Sequence, residues 1–158
     1  MLNKKKLPLR IGVGIILLNH ENNVFVGKRI DNPKNSWQMP QGGLDQNENF
    51  IQAAKRELEE ETGIKSVKLI KELDGWFKYD LPKYLLGKLW KGKYRGQKQK
   101  WFVMKFLGKH NEINVKTKNP EFFEWKWIEH SNLPNIAVHF KSDIYKKIKD
   151  ELISLNLN

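Results

Sequence analysis

The stretch QGGLDQNENFIQAAKRELEEETGI, Gln41 to Ile64, sets the problem that the rest of the chain has to answer. Its middle has helical periodicity: Ile51, Ala54 and Leu58 form an apolar stripe, which predicts a helix from about Asn47 to Thr62. Asp45 or Asn47 would supply its N-cap, and Gly63 suits the left-handed position that closes a helix. Five glutamates fall between Glu48 and Glu61, three of them as Glu59-Glu60-Glu61, in a chain with 29 Lys and Arg against 18 Asp and Glu. At about 100° per residue, with Glu57 set to zero, Glu60 lies near about 300° and Glu61 near about 40°. These three share one face, with Glu61 at the border of the apolar stripe. Glu59, at about 200°, points to solvent.

That crowding is unfavourable by itself. Like charges at i and i+4 oppose one another by roughly 0.2–0.5 kcal/mol, and acids in a last turn oppose the helix dipole by ~0.3–1 kcal/mol each. A cation would offset both. An oxygen-only cluster without His or Cys beside it suits Mg²⁺, or Mn²⁺, rather than zinc.

The whole chain frames this feature. Its 158 residues are long enough for one domain, 1–158, with a real core. No cysteine is present, so disulfides, thiolate metal sites and a cysteine nucleophile are excluded; a cytoplasmic location fits. The apolar run from Ile11 to Leu18 follows a lysine cluster but is too short to cross a bilayer, and no small-residue cleavage site follows it. A buried strand is the expectation, with no membrane association. The net charge of +11 is unevenly spread: nine Lys or Arg and no acid from Leu81 to Asn111, six acids and two bases from Gly42 to Ile64. The asymmetry fits a polyanion approaching a locally acidic centre, or else a solvated lysine-rich surface.

Strands are expected at Ile11 to Leu18, Val24 to Ile30, Val67 to Leu73, Trp76 to Leu81, Lys100 to Leu107 and Phe122 to Ile128. DNPKNSWQMPQGG has the Pro, Gly and Asn punctuation of a loop. Ile144, Ile148, Leu152 and Leu155 mark the apolar face of a C-terminal helix. Strands interrupted by two helices indicate an α/β or α+β sandwich.

Gly42, Glu48, Arg56-Glu57-Leu58, Glu60-Glu61 and Gly63-Ile64 together resemble the Nudix box, G-x5-E-x7-R-E-U-x-E-E-x-G-U with U aliphatic, at every defined position. The resemblance implies an α/β/α sandwich with a mixed sheet between helices, and metal-dependent hydrolysis of phosphoric anhydrides in nucleoside polyphosphates. SWQMPQGG, GQKQKWF, PEFFEWKW and FKSDIYKKI further resemble the bacterial RNA pyrophosphohydrolases and the related dinucleoside polyphosphate hydrolases, over about Arg10 to Ile148. Met39 and Phe123-Glu124 depart from the commonest sequence of that group.

By position in that resemblance, Glu57, Glu60 and Glu61 are metal-binding carboxylates and Glu121 is a further acid from a distant loop, with Glu124 its neighbouring competitor. Either Glu61 or Glu121 would be the base. Arg10, Arg29, Tyr79, Val138, Phe140 and Lys141 would surround the phosphates or the first nucleotide, with Phe140 stacking a base. Arg56 would orient a box carboxylate, and Glu48 would fix the loop or lie in an outer metal shell. Gly42 and Gly43 would permit backbone conformations closed to residues with a Cβ.

The implied substrate is the 5′ end of triphosphorylated RNA, converted to a 5′-monophosphate in RNA decay. The alternatives are a dinucleoside polyphosphate and, remotely, RNA binding without catalysis. A monomer without stable DNA binding is expected.

Overall fold

The computed structural model describes residues 6–31 and 36–157. Its centre is an eight-stranded sheet. The first strand, β1 (Leu9–Leu18), is followed by β2 (Val24–Arg29), β3 (Trp37–Gln38), β4 (Gln41–Gly43) and the helix α1 (Phe50–Thr62). Then come β5 (Val67–Glu72), β6 (Phe77–Asp80), β7 (Gly96–Phe106), β8 (Phe122–Ile128), the short α2 (Leu133–Ile136) and α3 (Ser142–Ser154). The main path runs β3-β2-β1-β7-β5, with β4 on β1, β6 on β7 and β8 on β2. β1 and β7 are parallel from Leu9↔Gly96 to Leu18↔Lys105, and the other pairings are antiparallel. The sheet is therefore mixed, as expected.

Alternation along β1 explains the layering. Val13, Ile15 and Leu17 pack with Ala53, Ala54 and Leu58 of α1. Ile16 and Leu18 belong instead to the cluster holding Ile144, Tyr145, Ile148 and Leu152 of α3. A strand covered on both faces needs apolar residues at successive positions rather than alternate ones, which is why this run resembles a leader segment when read alone.

The start of α1, the loop before it and the start of β7 differ from expectation. The N-cap of α1 is Asn49, not Asp45 or Asn47, and the helix begins at Phe50. Asn47 has φ 66, a turn conformation. Asn49 and Gln52 form a reciprocal capping box: Gln52 N–H donates to Asn49 Oδ1 at 2.9 Å, and Asn49 N–H donates to Gln52 Oε1 at 3.0 Å. The C-terminal end is as expected, with Gly63 at φ 74 and its N–H on the Glu59 carbonyl. The predicted loop contains β3 and β4, because tertiary pairing with β2 and β1 outweighs its turn-like composition; residues 32–35 of that loop lie outside the described residues. Finally, β7 starts at Gly96 rather than Lys100, since the parallel ladder to β1 recruits Gly96 to Gln99.

Candidate active site

The C-terminal half of α1 lies against β4, and the contact is unusually close. A Cβ built at Gly42 would overlap the Glu57 carboxyl group, and one at Gly43 would overlap the Arg10 guanidinium. Neither glycine is among the positive-φ residues. Their absent side chains therefore provide space, not a special backbone conformation, which corrects the expectation for this pair. Glycine here lets Glu57 and Arg10 approach the strand itself.

Arg56 organises the acidic face. Its Nε and Nη2 donate to Glu48 Oε2 and Oε1 at 2.8 and 2.9 Å, and Nη2 also reaches the Gly43 carbonyl at 2.8 Å. Nη1 donates to Glu57 at 2.9 Å and Glu60 at 3.2 Å. Glu48 in turn accepts the Asp45 N–H at 2.9 Å, so it ties the loop to the helix. Five donors in a fixed fork can hold this many acceptors at once; a lysine ammonium cannot.

Glu61 is the outlier among the acids. It is 4% exposed, and its Oε2 is buried without a hydrogen-bond partner. Burial, then Glu57, then Glu121 push its pKa well above the ordinary carboxylate value, against Arg29 and the Gln41 backbone. Burial likewise raises Glu57. Glu60 is largely exposed, and Glu59 is exposed on the other side, where it pairs with Lys65 at 3.4 Å. Among the described residues no three His, Asp or Glu side chains are drawn together as a ready-made metal cage. Arg56 occupies oxygens of Glu57 and Glu60, while Glu61 Oε2 is left unsatisfied. A desolvated, unpartnered carboxylate oxygen fits a cation bound by oxygen donors.

Glu57, Glu60, Glu61 and Glu121 open onto one cavity of about 740 Å³, and every substrate-side residue named from the resemblance also lines it: Arg10, Arg29, Tyr79, Val138, Phe140 and Lys141. Glu124, the competitor of Glu121, lines a separate hollow. Arg29 forks onto Asp31, with Nε 2.7 Å from Oδ1, and lies 3.9 Å from Glu121. Lys141 is buried, donates to Gln38 Oε1 at 3.3 Å, and has its pKa pulled down to about 7 by burial and the nearby Arg29. Phe140 is half-buried against the core, its ring 5.7 Å from Tyr79 and inclined by 39°. Packing and a cavity-facing position therefore coexist at Phe140.

The alternation in GQKQKWF now has a cause. Gln97 accepts from Arg10 Nη1 at 3.0 Å and donates to the Tyr79 hydroxyl at 2.7 Å; Gln99 donates to Gln41 at 3.2 Å. Lys98 and Lys100, on the opposite face of the same strand, lie over Trp76 instead. The sequence reading passed over Trp37, Gln38, Gln41 and Asp31, and the wall made by Tyr84, Leu85, Leu89 and Trp90. The period-two glutamines were a usable signal for the amide network. The Trp90 wall gave none, because it belongs to an irregular segment in which Trp90 and Lys91 both have positive φ.

A family model described as the NUDIX domain matches residues 8–148. An RNA pyrophosphohydrolase of Pelagibacter ubique (strain HTCC1062) is 63% identical over 95% of each chain. One from Orientia tsutsugamushi (strain Boryong) is 44% identical over 94% of this chain and 92% of its own. Among solved structures, a C. elegans Ap4A hydrolase complex has a TM-score of 0.66 at 20% identity, covering 92% of this chain and 99% of that one. At that identity the likeness bears on the fold alone. The box residues on α1, the mixed sheet between helices and these comparisons agree: the chain belongs to the Nudix family.

Proposed function

We propose that this chain is a metal-dependent RNA 5′-pyrophosphohydrolase, acting through one domain, as a cytoplasmic monomer. The observation that carries the reading is the unpartnered, buried Glu61 oxygen beside Glu57 in a cavity whose other walls hold Arg10, Arg29 and Lys141. An acidic floor under cationic walls is what a polyphosphate bound with divalent ions needs. The kinship with the Pelagibacter protein supports RNA as the substrate.

Glu57, Glu60 and Glu61, with Glu121 from the loop before β8, would hold Mg²⁺ or Mn²⁺. The metal would neutralise phosphate charge and make bound water more acidic. Arg10 and Arg29 have guanidinium groups at the cavity wall to bind phosphate oxygens, and Lys141 adds a third cation. Phe140 offers a ring face to the first base, where stacking is worth ~1–3 kcal/mol. Glu61 or Glu121 takes the proton of the attacking water. The water oxygen bonds to phosphorus and the opposite anhydride P–O bond breaks, so pyrophosphate leaves and the RNA keeps a 5′-monophosphate.

A dinucleoside polyphosphate is the second reading. The cavity volume and the aromatic side chains it takes from separate segments, Tyr79, Trp90 and Phe140, favour room for a second nucleoside. Turnover of triphosphorylated RNA and diadenosine tetraphosphate, measured side by side with Mg²⁺, decides between them. The expected result is faster turnover of RNA. A hundredfold preference for the dinucleotide would reverse the order. Glu60→Gln should lower turnover about 100-fold (~2.7 kcal/mol on the barrier); no turnover by wild type, with RNA binding equal in wild type and variant, would leave only an RNA-binding module.

A further inference from the structure

Beside the cavity, β2, β3 and β8 assemble a second group of side chains that the hydrolytic site does not use. Trp37 is shared between the two, since it lines the cavity. Lys126 Nζ lies 4.1 Å from its ring centroid and Lys28 Nζ lies 5.7 Å from it. Lys28 Nζ is also 5.6 Å from the ring of Phe123, which is 44% exposed. The pairing makes this arrangement: Lys28 is opposite Trp37 across β2 and β3, and Lys126 is opposite Val26, two residues back along the same strand as Lys28. Alternate residues share a sheet face, so both ammonium groups reach the same indole. Among the described residues neither lysine has a carboxylate at ion-pair distance, although Glu124 is directly across from Lys28. Lys28, Lys126 and Phe123 all lie outside the cavity lining.

An ammonium group resting over an aromatic face keeps its N–H donors free for an anion, and the ring holds it in place. Cations interleaved with exposed rings are the composition of tracks for single-stranded nucleic acid, in which phosphates meet the cations and bases stack. We infer that Lys28, Lys126 and Phe123, reached from the cavity past Trp37, hold the single-stranded RNA immediately downstream of the 5′ end. This rests on the RNA reading and deepens it: the substrate is held as a chain, beyond its terminal nucleotide. The lysines contact backbone phosphates and Phe123 stacks a base, so the grip tolerates any sequence.

The test compares wild type with Lys28→Ala/Lys126→Ala and with Phe123→Ala. Substrates are a triphosphorylated RNA of about ten nucleotides and a triphosphorylated dinucleotide. For the longer RNA the double variant should raise KM about tenfold with kcat retained. The slope of log(1/KM) against log salt should become shallower by about 1.4, two contacts at ~0.7 each. Phe123→Ala should raise KM on the longer RNA only. Dinucleotide kinetics should not change in either variant, which also shows that the fold is intact. A KM on the longer RNA within twofold of wild type, or an equal loss on both substrates, overturns the track. Wild type that hydrolyses diadenosine tetraphosphate but neither RNA overturns the RNA reading and the track together. Wild type that hydrolyses the longer RNA alongside variants of unchanged KM overturns the track alone.

Discussion

Arg56 holds Glu48 through a two-pronged contact, Nε to Oε2 at 2.8 Å and Nη2 to Oε1 at 2.9 Å, and spends its remaining nitrogen, Nη1, on Glu57 and Glu60. One guanidinium thus fixes the loop after β4 and the acids of α1 in a single frame. Arg56→Lys keeps the charge and loses the fork. Turnover should fall at least about tenfold, and stability by about 1.5–3 kcal/mol, the scale of hydrogen bonds to charged groups. Steady-state kinetics and urea unfolding of the same variant measure both.

Gly42→Ala puts a methyl group where the Glu57 carboxyl lies. The carboxylate must swing away from the cavity, so turnover should drop by an order of magnitude or more. Gly75→Ala is the control: its Cβ meets nothing within 4 Å, but φ is 77. That variant should lose about 1 kcal/mol of stability from backbone strain while retaining turnover. Kinetics and thermal unfolding of the pair separate crowding at the site from strain in general.

Glu61 should make the metal-free protein weaken as pH rises. In the unfolded chain its carboxyl ionises near the ordinary 4.5, and in the fold only at a higher pH. Between those values the folded state carries the extra proton. Its contribution to stability is complete below about 4.5 and is lost as pH climbs through the folded value. Thermal melts across that range should show the decline in the presence of a chelator, and Glu61→Gln should flatten it. Mg²⁺ at a hundred times its dissociation constant should stabilise wild type at neutral pH by about 2.7 kcal/mol and so raise its melting temperature. The shift should shrink in Glu61→Gln, whose turnover should fall about 100-fold.

Lys141 carries the opposite sign. Burial lowers it from the ordinary 10.5 to about 7. Between those values the unfolded chain binds the extra proton, so stability rises with pH through that window. Below about 7 the buried charge is a standing cost. Lys141→Met should be more stable than wild type at pH 6, and the difference should fade towards pH 10. Its KM for triphosphorylated substrates should rise, because a cation at the cavity wall is gone. Melts at the two pH values and Michaelis kinetics check the two halves.

Reading the chain as a sequence located most of the elements, because long periodic runs report burial directly. The run from Ile11 to Leu18 and the stripe Ile144, Ile148, Leu152, Leu155 are examples; the first is buried from Gly12 onwards, with Ile11 exposed, and the second is buried up to Leu152, with Leu155 partly buried at the helix end. The acidic face of α1 was legible for the same reason, since helix geometry alone brings Glu57, Glu60 and Glu61 together. Short strands were not legible. Trp37–Gln38 and Gln41–Gly43 lie in a segment with loop composition and become strands only because β2 and β1 offer them hydrogen-bonding edges.

By itself, then, the sequence determined the helix, its closing glycine at Gly63, and a charge pattern that makes little physical sense without a cation; it misplaced the N-cap, which is Asn49 rather than Asp45 or Asn47. Only the tertiary structure decided that Glu61 is buried with one carboxylate oxygen, Oε2, unpartnered while Glu60 stays in solvent. Burial depends on what packs over a helix face, and here that cover is β4, just before α1, with Arg29 and the loop bearing Glu121, both remote from α1 in sequence. The same holds for Arg10, Tyr79 and Gln97, which become one hydrogen-bonded wall because β6, β7 and β1 are neighbours in the sheet. Local spacing fixes which groups a helix displays together, and long-range pairing fixes what surrounds them.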